Sequence, residues 1–233
     1  SCHEQLKKLN KTSMESMLVR QLVEDFNSAG ILYCHWKSNQ HLDASISGDT
    51  DLDLLFAPNQ EKTVLEILAQ NGFRLFRAPG FLRYKKIHDY IVIDSENRKI
   101  IHVHAHFELA TGKTGIKNYQ LGVEKLLLHG RVFDEQFQIY RSAPEMECLL
   151  LYLRLGLKFK SNHWDLSKPN ADFKNILVER EWLQKQIRDD KLKSLRGTFV
   201  NEYLFDEIEG LIDEDLSNST LRALSNAVDQ EYG

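Results

Sequence analysis

The chain has 233 residues, 42% of them hydrophobic and 27% charged, enough to bury one large core or two smaller ones. Its formal net charge of −4 and pI near 6.1 disfavour a protein that coats duplex DNA by generalised phosphate attraction. The longest strongly apolar stretch, Cys148 to Leu157, is interrupted by Arg154 and is too short to span a bilayer.

Met14, Met17, Leu18, Leu22 and Phe26 recur near helical spacing and Gly30 follows as a stop, which predicts an opening amphipathic helix. Ile31 to Trp36 reads as a strand, Ser38 to Ser47 as a short helix or loop, and Asp51 to Phe56 as a strand with one apolar face. A helix over Glu61 to Asn71 closes on Gly72. Two β runs follow, Phe73 to Arg77 and Tyr84 to Asp94, with the Pro79-Gly80 turn between them. Polar Ser95 to Lys99 reads as a hairpin turn, returning along Ile100 to Leu109, where a period of two puts His102, His104, His106 and Glu108 on one face.

Beyond Arg141 the character changes. Ser142-Ala143-Pro144-Glu145 reads as a capping box with proline inside it and a long apolar run behind it. Helices are expected near Pro144 to Lys160, Ala171 to Ile187, Lys191 to Ile212 and Ser217 to Gln230. The expected organisation is therefore a mixed α+β half over residues 1–140 and an all-α half over 141–233.

Asp51 and Asp53 stand two apart at the start of a strand, so both point to one face while Leu52 and Leu54 point to the core. Two close like charges on a fixed strand are costly unless a cation bridges them, and hard oxygen ligands suit Mg²⁺ or Mn²⁺. Asp-x-Asp alone is weak, and a solvated strand end is its plain alternative. For the histidines the plain alternative is a polar outer sheet face. Zinc hydrolysis finds no support, since no His-Glu-x-x-His helix exists, and Ser38 lacks a Gly-x-Ser-x-Gly elbow.

With Lys37-Ser38 after one strand, a polar connection, and Thr50-Asp51-Leu52-Asp53-Leu54-Leu55 on the next, the stretch Ile31 to Leu109 resembles the DNA polymerase β-type nucleotidyltransferases. Trp36-Lys37-Ser38-Asn39, His102-Val103-His104 and Lys117-Asn118-Tyr119 are similar to the nucleotidyltransferase-like region of bacterial proteins fused to thymidylate-kinase-like domains, in which a Lys-Gly pair commonly stands where this chain has Lys37-Ser38. No Gly-x-x-x-x-Gly-Lys-Ser/Thr run accompanies it, so kinase activity is not supported.

The resemblance implies a polymerase β-like mixed sheet with flanking helices, followed by a helical domain. It implies transfer of a nucleoside monophosphate from an NTP or dNTP to a hydroxyl acceptor, with Asp51 and Asp53 holding Mg²⁺ or Mn²⁺. Where relatives carry a third acidic residue, this chain has His104; His104 itself, Asp94 or Glu108 could fill the role. Ser38 and adjoining amides would meet the β- and γ-phosphates, with Lys37, Lys113, Lys117, Arg154 and Lys158 as further cations. For Lys113 and Lys117 the alternative is an exposed loop, and for Arg154 and Lys158, which share a helix face, a salt bridge.

By analogy with stand-alone bacterial members, a single-stranded oligonucleotide product, a toxin or effector protein partner in defence, and a homo-oligomer are each expected possibilities, as are a non-catalytic nucleotide-binding module and an antitoxin. Tyr232, beyond the last expected helix, offers a phenolic acceptor for self-priming. Cys2, Cys34 and Cys148 form no Cys-x-x-Cys pair, and His3, Glu4, Lys7, Lys8 and Lys11 interrupt any secretory apolar run, which predicts a reducing, cytoplasmic setting.

Overall fold

Strand residues that alternate between apolar and polar can bury one face and leave the other open, and the first half of the chain is built on that alternation. The structure, a computed structural model, describes residues 16–77, 84, 86–111, 119–161, 166 and 168–232. Lys113 and Lys117 lie outside them, as does the Pro79-Gly80 turn. The first elements are α1 (Met17–Ser28), β1 (Tyr33–His35), α2 (Leu42–Ile46), β2 (Leu52–Phe56), α3 (Glu61–Gln70) and β3 (Arg74–Phe76). The hairpin strands β4 (Ile87–Asp94) and β5 (Lys99–His106) come next. After them come β6 (Ala110–Thr111), β7 (Tyr119–Gln120), α4 (Glu124–His129), β8 (Val132–Asp134) and β9 (Ile139–Arg141).

Among the described residues, seven strands form one sheet in the order β3-β4-β5-β2-β1-β9-β8. The sheet is mixed. β2 runs parallel to β5 and β1 parallel to β9, whereas the β1–β2, β3–β4 and β4–β5 pairs are antiparallel. This is the mixed sheet with flanking helices expected from the sequence.

One sheet face carries Leu52, Leu54, Phe56, Tyr90, Val103 and Ala105, packed against Val19, Leu22 and Phe26 of α1, Leu42 and Ile46 of α2, and Val64 and Leu68 of α3. At about 25 cal/mol per Å² of apolar surface removed from water, a fully buried side chain of this size contributes about 1.5–3 kcal/mol. Core helices therefore cover one face, and the alternate residues Asp53, His104 and His106 are turned to the other. The hairpin end is fixed by Asp94, whose carboxylate accepts from Ser16 Oγ at 2.8 Å and from the Asn97 side chain at 2.9 Å. Asn97, then Ser16, hold that carboxyl below its usual range.

The chain divides into two compact units that interleave: residues 1–35, 41–107 and 133–141 in the first, and 36–40, 108–132 and 142–233 in the second. The second is built on α5 (Pro144–Ser161), α6 (Ala171–Gln184), α7 (Asp189–Lys193), α8 (Glu202–Ile212) and α9 (Asn218–Tyr232). In α5 the run Leu149 to Leu153 is buried without a break, as expected of a helix surrounded on all sides rather than lying at a surface. Side-chain caps start two helices: Asn170 accepts from Phe173 N–H at 2.9 Å and Asn201 from Leu204 N–H at 2.8 Å.

The single helix expected over Lys191 to Ile212 is broken. Gly197 adopts φ 69°, in the left-handed region that ends helices, and a turn separates α7 from α8. The last helix runs through Tyr232 instead of ending at Gln230. No described helix is long and apolar enough to cross a membrane.

Helices α5 and α9 approach closely at Gly156, where an added Cβ would lie 2.8 Å from Val228 Cγ2 and 3.3 Å from Leu224 Cγ. Alanine would gain about 1 kcal/mol of helix propensity. Overpacking costs about 1–3 kcal/mol and outweighs it. Gly156→Ala is therefore expected to lower the urea midpoint, and an unchanged or raised midpoint would show that α9 yields freely.

Candidate functional site

The face of the sheet turned away from the core helices brings the two acidic positions of β2 beside the histidines of β5. In the parallel ladder Asp53 stands opposite His104 and Leu52 opposite Val103, so Asp51 comes alongside His102. His102 Nδ1 lies 2.9 Å from Asp51 Oδ1, and His104 Nδ1 lies 3.4 Å from Asp53 Oδ1. His106 Nε2 is 3.8 Å from the same Asp53 oxygen. Asp53 and His106 are buried at 7% and 2% exposure, so the inner end of this row is shielded while Asp51 is exposed.

A residue that the sequence did not single out completes the row. Asp89 of β4 pairs with His104 in the antiparallel hairpin, and its Oδ1 meets His102 Nε2 at 3.1 Å and His104 Nε2 in a close contact. Each imidazole is thus held between two carboxylates, one on either neighbouring strand. The bonds to Asp51 and then Asp89 push His102 up to about 9, so in this arrangement it is an imidazolium. For His104, burial opposes the charge, but the bonds to Asp53 and Asp89 outweigh it and the value rises. His102 and then His104 hold the Asp89 carboxyl far below the usual carboxylate range, and His102 lowers Asp51 likewise.

The other acidic candidates stand elsewhere. Asp94 belongs to the core-facing set of β4 and is occupied at the hairpin turn. Glu108 lies past the end of β5, where it accepts from Gln120 Nε2 at 2.9 Å.

In the second unit, Ser38 and Arg154 converge on one buried carboxylate. Ser38 N–H donates to Glu179 Oε1 at 3.2 Å, and Arg154 Nη1 meets the same oxygen at 3.3 Å. Glu179 is 2% exposed. Lys37 Nζ sits 5.3 Å from the centre of the Trp36 ring, a cation–π contact. Lys158 lies one turn beyond Arg154 on α5 and is half-buried. Tyr232 is the last residue of α9, half-buried, with burial pushing its phenol up to about 12.

Ser38 has φ 57°, in the left-handed region where a side chain is strained. Glycine relieves that strain but loses more entropy on folding, so the two effects of about 1 kcal/mol nearly cancel. Ser38→Gly is expected to leave the melting temperature almost unchanged, while the β-branched Ser38→Val lowers it. Equal melting of both variants would contradict this.

No family model matches the sequence, and no curated protein matches it. Among solved structures the chain is similar to the antibiotic-resistance factor ANT(2'')-Ia, studied in solution for its substrate-regulated conformation dynamics. The likeness has a TM-score of 0.43 and 10% identity, over 84% of this chain and 95% of that one. At that level the side chains alone speak for the chemistry.

Proposed function

We propose that this chain is a metal-dependent nucleotidyltransferase that moves a nucleoside monophosphate from an NTP or dNTP to a hydroxyl acceptor. The observation that supports it is the pairing of Asp51 and Asp53 with His102 and His104 on the sheet face opposite the core. A row of acidic and imidazole donors on one sheet face groups oxygen and nitrogen ligand atoms closely. It is a donor set suited to a divalent cation, with Asp51, Asp53 and His104 as its holders and Mg²⁺ or Mn²⁺ as the candidate ions.

In the reaction the acceptor oxygen bonds to the α-phosphorus, the bond from that phosphorus to the pyrophosphate oxygen breaks, and the acceptor proton passes to solvent. The bound cation supplies charge neutralisation for the α-phosphate and the departing pyrophosphate. Asp51 and Asp53 supply the fixed negative charge that holds it, and β2 and β5 fix their spacing, so little reorganisation accompanies the transfer. Lys37, Arg154 and Lys158 are proposed phosphate contacts on the strength of the sequence resemblance alone, and Arg154 meets Glu179 within its own unit. The experiment is incubation with each labelled NTP and dNTP plus Mg²⁺ or Mn²⁺, offering protein, oligonucleotide and small-molecule hydroxyls. Pyrophosphate release with label transfer supports the reading; nucleotide left intact with every acceptor and ion sinks it.

A nucleotide-binding module without turnover is the second reading. It is favoured by His104, whose imidazole stands opposite Asp53 where the family that the sequence resembles carries a third acidic residue. Nucleotide binding by equilibrium dialysis without pyrophosphate release would select it.

A further inference from the structure

The donor set beside Asp53 is richer in nitrogen than a Mg²⁺ site calls for. We infer that Asp53, His104 and His106 form a three-residue site for a divalent transition ion, Zn²⁺ in preference to Mg²⁺, and that Asp89 is the positioning residue that orients His104. This rests on the nucleotidyltransferase reading and refines it, naming the ion and putting His106 in place of Asp51 among its holders, and it is decided by binding rather than by turnover.

Three observations carry it. The first is spacing: one ligand atom from each of Asp53, His104 and His106 lies within 4.8 Å of the others. Asp53 Oδ1 is 3.4 Å from His104 Nδ1 and 3.8 Å from His106 Nε2. Metal bonds of about 2.0–2.1 Å at tetrahedral angles place donors about 3.3 Å apart, so the two Asp53 pairs are within about half an ångström of that spacing, and the His104–His106 pair lies within 4.8 Å. The positions are set by backbone, since His104 and His106 share one pleat face of β5 and Asp53 is the register partner of His104.

The second is donor chemistry. Two of the three donors are imidazoles, which suit zinc and the later transition ions, whereas Mg²⁺ takes an octahedron of oxygens. Three protein ligands also leave a position for water or phosphate oxygen, as in catalytic and unlike structural zinc sites. Asp53 and His106 side chains are 9% and 3% exposed against 24% for His104, so the open position lies on the His104 side.

The third is the second contact of His104. Its Nε2 meets Asp89 while its Nδ1 faces Asp53. An imidazole that donates its Nε2–H to a carboxylate presents the Nδ1 lone pair to the metal in a fixed ring orientation, the usual carboxylate–histidine–metal arrangement. Asp89, His102 and His104 also approach one another, but an ion there would take the nitrogen that Asp89 otherwise orients.

The test is calorimetric titration of EDTA-treated, dialysed full-length protein with ZnCl₂, MnCl₂ and MgCl₂ without nucleotide, with Co²⁺ visible spectra as a second readout. One equivalent of Zn²⁺ is expected to bind, with Mn²⁺ weaker and Mg²⁺ silent over the range that saturates the site. Asp53→Asn and His106→Gln are expected to abolish binding and the Co²⁺ band. Asp89→Asn is expected to weaken binding by about 10–100-fold at unchanged stoichiometry, and His102→Gln to keep its one equivalent. Circular dichroism and melting of the metal-free variants identify any that fail to fold; for those, the ion preference and Co²⁺ spectrum of the unsubstituted protein decide.

Mg²⁺ binding as tightly as Zn²⁺ would overturn the inference. So would full binding by folded His106→Gln, or loss of binding in folded His102→Gln, which moves the ion to Asp89, His102 and His104. Nucleotide transfer with Mg²⁺ alone, without tight transition-metal binding, overturns this site and leaves the proposed function standing. Tight binding without any transfer does the reverse.

Discussion

Asp53→Ala is expected to lower nucleotide transfer by about a thousandfold or more while leaving the protein folded. The fold should survive because Asp53 points away from the core. Its neighbours Leu52 and Leu54 fill the interior, so truncation opens no cavity among them. Activity should not survive, because removing one preorganised electrostatic contact to a transition state costs about 2.7–4 kcal/mol, or roughly 10²–10³ in rate. A carboxylate that holds the cation has at least that effect. Asp53→Asn separates charge from shape, since it keeps the side-chain volume and loses only the anion. Both variants are measured as transfer rate beside a thermal melt; wild-type rates in folded Asp53→Ala would remove the central assignment.

The largest expected effect on stability lies in the other unit, at Glu147 of α5. Its carboxylate, 1% exposed, accepts from Asn39 N–H at 2.9 Å, from Asn39 Nδ2 at 2.7 Å and from Ser142 Oγ at 3.3 Å. Glu147→Ala withdraws the acceptor from the buried Asn39 donors at once. Each buried polar group stripped of its partner costs about 1–3 kcal/mol. The expected loss is therefore about 3 kcal/mol by urea denaturation, against a total stability of about 5–15 kcal/mol for an ordinary domain. Glu147→Gln retains an acceptor oxygen and should lose clearly less. Equal losses would mean that the negative charge, not the hydrogen bonds, holds residues 36–40 in place.

Much of this was readable in the amino-acid order. The strand ending at Phe56, the histidine face of the return strand and the start of α5 at Pro144 follow from period and from the proline. The Ser142 hydroxyl instead donates to Glu147 and the Glu145 carboxylate accepts from Arg188 N–H, so the two form no capping box. Asp89 was missed because alternation tells which residues share a face of one strand, not which strand lies beside it. The signal was nevertheless present. From the Asp94–Lys99 pair at the hairpin turn, five steps along each strand reach Asp89 and His104. The break before α8 needed only the weight of Gly197 inside an apolar-periodic run. By contrast, nothing local could tell that Ser38 and Arg154 share Glu179, since that contact joins residues far apart in sequence.

The alternation along β5 also couples chemistry to folding. Ile101, Val103 and Ala105, all fully buried, take turns with His102, His104 and His106. Were β5 to slide by one position against β2 and β4, the aliphatic side chains would exchange faces with the imidazoles. Histidines would enter the core, and the row beside Asp51 and Asp53 would become hydrocarbon. A single-residue insertion or deletion in the 95–98 turn therefore acts like a frameshift in three dimensions. The imidazole row and the hydrophobic interior are set by the same offset, and a chain that keeps one in place keeps both.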